Sequence, residues 1–163
     1  MAKGLRASAA VVAALVAVLI SAVATETKAQ NLSAVPVNSG AMARAISGYR
    51  LSHGRPPVVV SPQLNALALN QSMAMARIDQ LSHSVAGPLG TRLRAGGYIW
   101  RAAAENVAAG QTSAEAALAA WQASSGHRQN LLRSSVTQIG IAAVRNGNSR
   151  YGVYWTLILA RPR

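Results

Sequence analysis

Two β-patterned runs close the chain, Gln138 to Val144 and Tyr151 to Leu159, and every patterned segment before them has helical period. They flank Arg145-Asn146-Gly147-Asn148-Ser149, an Asn-Gly-centred connection of the kind that joins antiparallel neighbours. Helices first and strands last exclude a doubly wound parallel sheet, in which crossover helices alternate with strands. The order predicts an α+β layered domain. Its core has to be aliphatic, because 51% of the 163 residues are hydrophobic but only 4% are aromatic, and 34 are Ala. That composition excludes a disordered chain and favours close helix packing over an aromatic-rich sandwich. With no Cys there is no thiolate metal site, disulfide or cysteine nucleophile, so any chemistry falls to His, Glu, Asp or Ser.

Residues 1–24 carry Lys3 and Arg6, then an apolar run from Ala7 to Ile20, then Ser21-Ala22-Val23-Ala24. This reads as a secretory signal peptide cleaved after Ala24, with Thr27-Lys28-Ala29 a weaker second site and an uncleaved anchor the alternative. The signal would engage the membrane only during export. Removing it takes two cations from a net charge of +12 and leaves +10. Every cation after Lys28 is Arg, scattered without a run of five, which argues against a nucleic-acid tail. An exported domain so charged is drawn to anionic lipid headgroups or cell-wall polymers. The bland alternative is arginine-rich codon usage that keeps the protein soluble, and the domain is expected to be a monomer.

Residues 25–38 read as a linker and 39–163 as the folded domain. A first helix is expected over 41–51, with Met42, Ala45, Ile46 and Tyr49 on one face. Ser61-Pro62 starts a second, running to about Gln80 with Leu64, Leu67, Ala68, Gln71, Met75 and Ile78 buried. Thr91 to Ala95 forms a short helical turn. Thr112 caps a further helix, with Glu115 completing a capping box and Ala117, Leu118 and Trp121 on its apolar face, ending near Ser124-Ser125-Gly126.

The candidate chemical groups are few. His83 follows a helix end, Glu105 lies among Ala and Val, and His127 follows a Ser-Ser-Gly break. A carboxylate in apolar surroundings needs a partner such as imidazolium or a metal, so Glu105 predicts histidines nearby. Two imidazoles and a carboxylate make a set competent for a divalent ion such as zinc, with His83 and His127 as the ligands. No His-Glu-x-x-His spacing supports it, and Glu105 accepting backbone hydrogen bonds to fix a loop is the structural alternative. Ser124 or Ser125 beside His127 is a weak nucleophile candidate, since no Gly-x-Ser-x-Gly elbow is present. Asp79 could orient His83 if the helix continued that far, and Arg128 and Arg133 are expected to face solvent.

Three segments in order, Leu81-Ser82-His83-Ser84, Ala104-Glu105-Asn106-Val107-Ala108-Ala109-Gly110 and Trp121 through Leu132, resemble the CAP superfamily of cysteine-rich secretory, antigen 5 and pathogenesis-related 1 proteins. The match is to its short, cysteine-free bacterial branch and covers roughly 40 to 160. The resemblance implies a three-layer α-β-α sandwich with a central antiparallel sheet, a large cleft, and export to the medium or periplasm. By motif His83 and His127 correspond to the family's cleft histidines and Glu105 to one of its two acids. Ser124 stands where the second acid would be. The cleft is thus expected to be lined by His83, Glu105, Ser124 and His127, with Asn106 and Asn130 tying loops and Trp121 in the core. The resulting expectation is an exported, non-enzymatic domain that binds a lipid or other envelope component and requires no cofactor. The alternative is a metal-dependent hydrolase of peptide or ester bonds using His83, His127 and Glu105.

Overall fold

The computed structural model describes residues 31–163, so the expected signal peptide lies outside the described residues. Ten elements follow in order: β1 (Leu32–Val35), α1 (Ser39–Leu51), β2 (Val59–Val60), α2 (Pro62–Ile78), α3 (Leu89–Ala95), β3 (Trp100–Ala109), α4 (Ala114–Ala123), α5 (Ser125–Leu131), β4 (Gln138–Asn146) and β5 (Val153–Pro162). The sheet runs β1-β4-β5-β3 with antiparallel pairs throughout, and β2 adds a short parallel pairing to the start of β4.

Strand alternation divides the helices into two layers. Ile139, Ile141 and Ala143 of β4 and Trp155, Leu157 and Leu159 of β5 point to one face, where they pack with Ile46 of α1, Trp121 of α4 and Leu131 of α5. Ala142, Ile158 and Ala160 point the other way, onto Leu64, Leu67 and Ala68 of α2 and Leu93 of α3. The result is an α-β-α sandwich.

Ser61 caps α2, its Oγ accepting from Leu64 N at 3.3 Å, and Pro62 takes the first turn. The helix then lies directly on the sheet at Gly140, where a Cβ would sit 2.1 Å from the Leu64 carbonyl carbon. Asn65 Oδ1 accepts from Ile141 N at 2.9 Å beside that contact.

Several expectations are corrected. The stretch read as linker contains β1, which pairs with the end of β4. No local pattern marks β3, which is rich in Ala, a weak strand former; pairing with β5 along its length imposes the strand. The helix α5 follows α4 after one extended residue and escaped notice because Leu131 is its one buried residue. Ser113 rather than Thr112 caps α4, so Glu115 falls at the second helical position and the capping box is not formed. Ile78, expected in the core, is 57% exposed because α2 ends there. In the β4–β5 hairpin Asn146 stays in the strand, its Nδ2 donating to Ala76 O at 2.7 Å, and the left-handed turn position belongs to Gly152 at φ 73° rather than to Gly147.

Candidate functional site

β3 is an edge strand, and its outward carbonyls would be open to pairing with another chain if nothing covered them. Side chains from α4, α5 and the residues after it take three of them in alternation: Trp121 Nε1 donates to Val107 O at 3.2 Å, Asn130 Nδ2 to Glu105 O at 3.2 Å, and Arg133 Nη1 to Ala103 O at 3.4 Å. Asn130 Nδ2 also donates to Asn106 Oδ1 at 2.9 Å, and Asn106 Nδ2 to His127 O at 3.1 Å. Asn106 is fully buried. This lattice of bonds fixes α5, and with it His127, against the strand.

Successive residues of β3 face opposite ways, so Asn106 meets α5 while Glu105 is turned to the α2–α3 side. There His83 Nδ1 lies 3.0 Å from Glu105 Oε1, and Arg92 Nη2 lies 2.6 Å from Oε2. Glu105 and Arg92 are buried, whereas the His83 side chain is 57% exposed. Arg92 further donates from Nε to Gly87 O at 2.9 Å and from Nη2 to His83 O at 3.3 Å, stapling the 83–87 loop to the strand. Arg92 went unremarked in the sequence. A buried carboxylate demands a cation, but with fourteen arginines in the chain no spacing singled out this one.

Ser124 and His127 line a hollow of about 260 Å³ with Leu81, Val107, Gln111 and Trp121. Burial, and secondarily the charge of His83, push the His127 imidazole below its ordinary pKa of 6.5. His127 is therefore neutral at physiological pH. Gln111 Oε1 is buried there without a hydrogen-bond donor. Leu81 forms the exposed rim.

The four residues expected to line the cleft are placed as follows, with His83 near enough for its charge to reach His127. Ser124 and His127 line the hollow, Glu105 is turned onto Arg92, and His83 bridges to Glu105. Asp79 does not orient His83; it ends α2 in a left-handed conformation and accepts from the Tyr154 hydroxyl, whose pKa is pushed up to about 12 by burial and by that carboxylate. His53 closes α1 against Tyr49. Arg128 and Arg133 are exposed, as expected.

A divalent metal does not fit this arrangement. Among the described residues no three His, Asp or Glu side chains converge on one point. Both Glu105 oxygens are engaged, and the guanidinium on Oε2 already supplies the positive charge a buried carboxylate requires.

A family model described as CAP, the cysteine-rich secretory protein family, matches residues 43–159. Among curated proteins, YkwD of Bacillus subtilis (strain 168) is 27% identical over 131 residues, 77% of this chain and 51% of that protein. An extracellular protein containing an SCP domain from Bacillus anthracis str. Ames superimposes with a TM-score of 0.65 at 29% identity, over 74% of this chain and 39% of that one. An outer surface protein of Borrelia burgdorferi gives a TM-score of 0.71 at 13% identity, over 80% and 98% of the two chains. A cysteine-rich secretory protein of Staphylococcus aureus subsp. aureus Mu50 gives 0.60 at 19%, over 77% and 40%. The last two likenesses concern the fold alone. The chain spans about half the length of the curated relative it matches.

Proposed function

The chain belongs to the CAP, or cysteine-rich secretory protein, family, and on that premise we propose that it is an extracellular, non-catalytic binding domain that holds the apolar part of a cell-envelope lipid in the hollow beside His127. The proposed location follows its likeness to a protein described as extracellular. The observation that carries the binding reading is the hollow itself, about 260 Å³ and walled by Leu81, Val107, Ala108 and Trp121. It is smaller than the roughly 300–1,000 Å³ that encloses a whole drug-sized ligand, so it suits one segment of a longer amphiphile. A neutral His127, Ser124 and the undonated Gln111 Oε1 offer hydrogen bonds to a hydroxyl or amide at the amphiphile's polar end.

Catalysis is disfavoured by the same geometry. The two-carboxylate form of general acid and base chemistry lacks its second acid, since Ser124 stands at that position while Glu105 is held by Arg92. A metal-bound water is disfavoured by the donor set described above.

The test is calorimetric titration of the full chain with a short-chain phosphatidylglycerol kept below its micelle concentration. Saturable binding is expected, and Ala120→Phe, which fills the hollow from α4, should abolish it while leaving the circular dichroism spectrum unchanged. Absence of saturation in the parent chain, or full binding by the filled variant, removes this reading.

A further inference from the structure

The end of the sheet where β3 begins and β5 finishes carries Arg94, Arg101, Arg161 and Arg163, all exposed. None of the four has a carboxylate partner among the described residues. The three acids among the described residues lie elsewhere: Glu105 is enclosed by Arg92 and His83, Asp79 is bound to Tyr154, which pairs with Ala109 at the far end of β3, and Glu115 opens α4 beyond that same end.

The cations here sit on apolar ground. Arg94 lies over the Trp100 ring, 5.7 Å from its centroid, and Ile99 next to it is 65% exposed. Arg94, Ile99, Trp100 and Arg163 border a shallow depression of about 260 Å³. The register slips between Trp100 and Ala102, leaving Arg101 as the extra residue of a bulge, a device that ends pairing and re-aims a side chain. Arg163 N donates to Ile99 O at 3.1 Å, so the two chain segments hold the patch together.

We propose that this end of the molecule is a docking surface for an anionic phospholipid bilayer, with Arg94, Arg101, Arg161 and Arg163 on headgroup phosphates and Ile99 and Trp100 entering the interface. Guanidinium forks match phosphate oxygens, and an indole with a neighbouring aliphatic side chain suits the headgroup boundary. A soluble anionic polymer would use the arginines but has no place for an exposed isoleucine. The bilayer uses both. The surface is distinct from the hollow beside His127, which lies at the opposite end of β3.

The test is co-sedimentation of the full chain with phosphatidylcholine vesicles and with vesicles containing about 30% phosphatidylglycerol. The apolar residues 7–20 contribute alike to both, so the readout is the anionic-to-neutral partition ratio. Arg94→Gln/Arg101→Gln/Arg161→Gln should lower that ratio at least about tenfold at low salt. Arg128→Gln/Arg145→Gln/Arg150→Gln, an equal loss of charge elsewhere, should change it less than about threefold. Ile99→Ser should weaken binding to the anionic vesicles with no charge change. Equal losses from the two triple variants would reduce the effect to net charge and overturn the proposal. No effect of Ile99→Ser, together with displacement by a soluble polyphosphate, would make the occupant a polymer and overturn it too. Ala120→Phe leaves the partition ratio unchanged, so failure here is separable from failure of the lipid-cleft reading.

Discussion

Arg92 Nη2 donates to Glu105 Oε2 at 2.6 Å, and both side chains are almost wholly removed from solvent, 6% and 3% exposed. The pair joins α3 to the edge strand β3 and, through Gly87 O and His83 O, orders the loop that presents His83. It also occupies the one acid among the candidate site residues. A carboxylate so matched is a structural anchor first.

Removing one partner of a buried pair leaves the other charge uncompensated. Arg92→Met is expected to destabilise the fold by about 3 kcal/mol, whereas Arg92→Met/Glu105→Leu should recover most of that loss. Urea denaturation of the two variants and the parent chain checks this. A double variant no better than the single one would show that the pair is not the unit.

At Gly140 a methyl group would meet the Leu64 carbonyl carbon at 2.1 Å and Asn65 N at 2.3 Å, both backbone atoms of α2. No rotamer relieves a backbone clash, so α2 must lift from the sheet. Gly140→Ala should cost about 3 kcal/mol or more, read as a lower urea midpoint. Gly96→Ala meets only the flexible Leu67 side chain and should cost less.

Arg50 is fully buried and donates to four carbonyls: Pro56 O at 2.7 Å, Leu131 O at 2.6 Å, Arg133 O at 3.0 Å and Val136 O at 3.3 Å. It closes the C-terminal end of α5 and the loop leading to β4. Arg50→Met strips all four acceptors of this donor and should cost about 3 kcal/mol in urea unfolding. Arg50→Lys should recover only part, because an ammonium lacks the planar fork.

His127 is held below its ordinary pKa of 6.5 by burial and by His83. As pH falls through 6.5 the unfolded chain takes up a proton that the folded chain resists, so the unfolded state binds more protons and stability falls. His127→Asn should therefore lose less stability than the parent between about pH 7 and pH 5, measured as urea midpoints. A variant as acid-sensitive as the parent would assign the effect to another group.

What the sequence disclosed follows from which signals are local. α2 was legible because Ser61-Pro62 is a self-contained start and its stripe of Leu64, Leu67, Ala68, Gln71 and Met75 repeats at helical spacing. The terminal hairpin was legible because β4 and β5 are rich in β-branched and aromatic residues. β3 was not, since its alanines carry no strand preference and only β5 defines them as a strand. The motif residues Asn106, Asn130 and Trp121 were singled out in advance, but that Trp121 and Asn130 cover carbonyls of an edge strand, and that Asn106 ties α5 to it, depends on that strand. Likewise a buried Glu105 could be read from its Ala and Val neighbours, while the face it points to, and hence Arg92 as its partner, depends on strand alternation.

As proposed, the hollow beside His127 binds lipid without a metal. The most direct measurement is the phosphatidylglycerol titration of the full chain and of Ala120→Phe, each with a chelator and then with added zinc. Saturable binding by the parent chain, equal in chelator and in zinc and lost in Ala120→Phe, is the predicted result. Binding that appears only with zinc, or that survives in the filled variant, would contradict it.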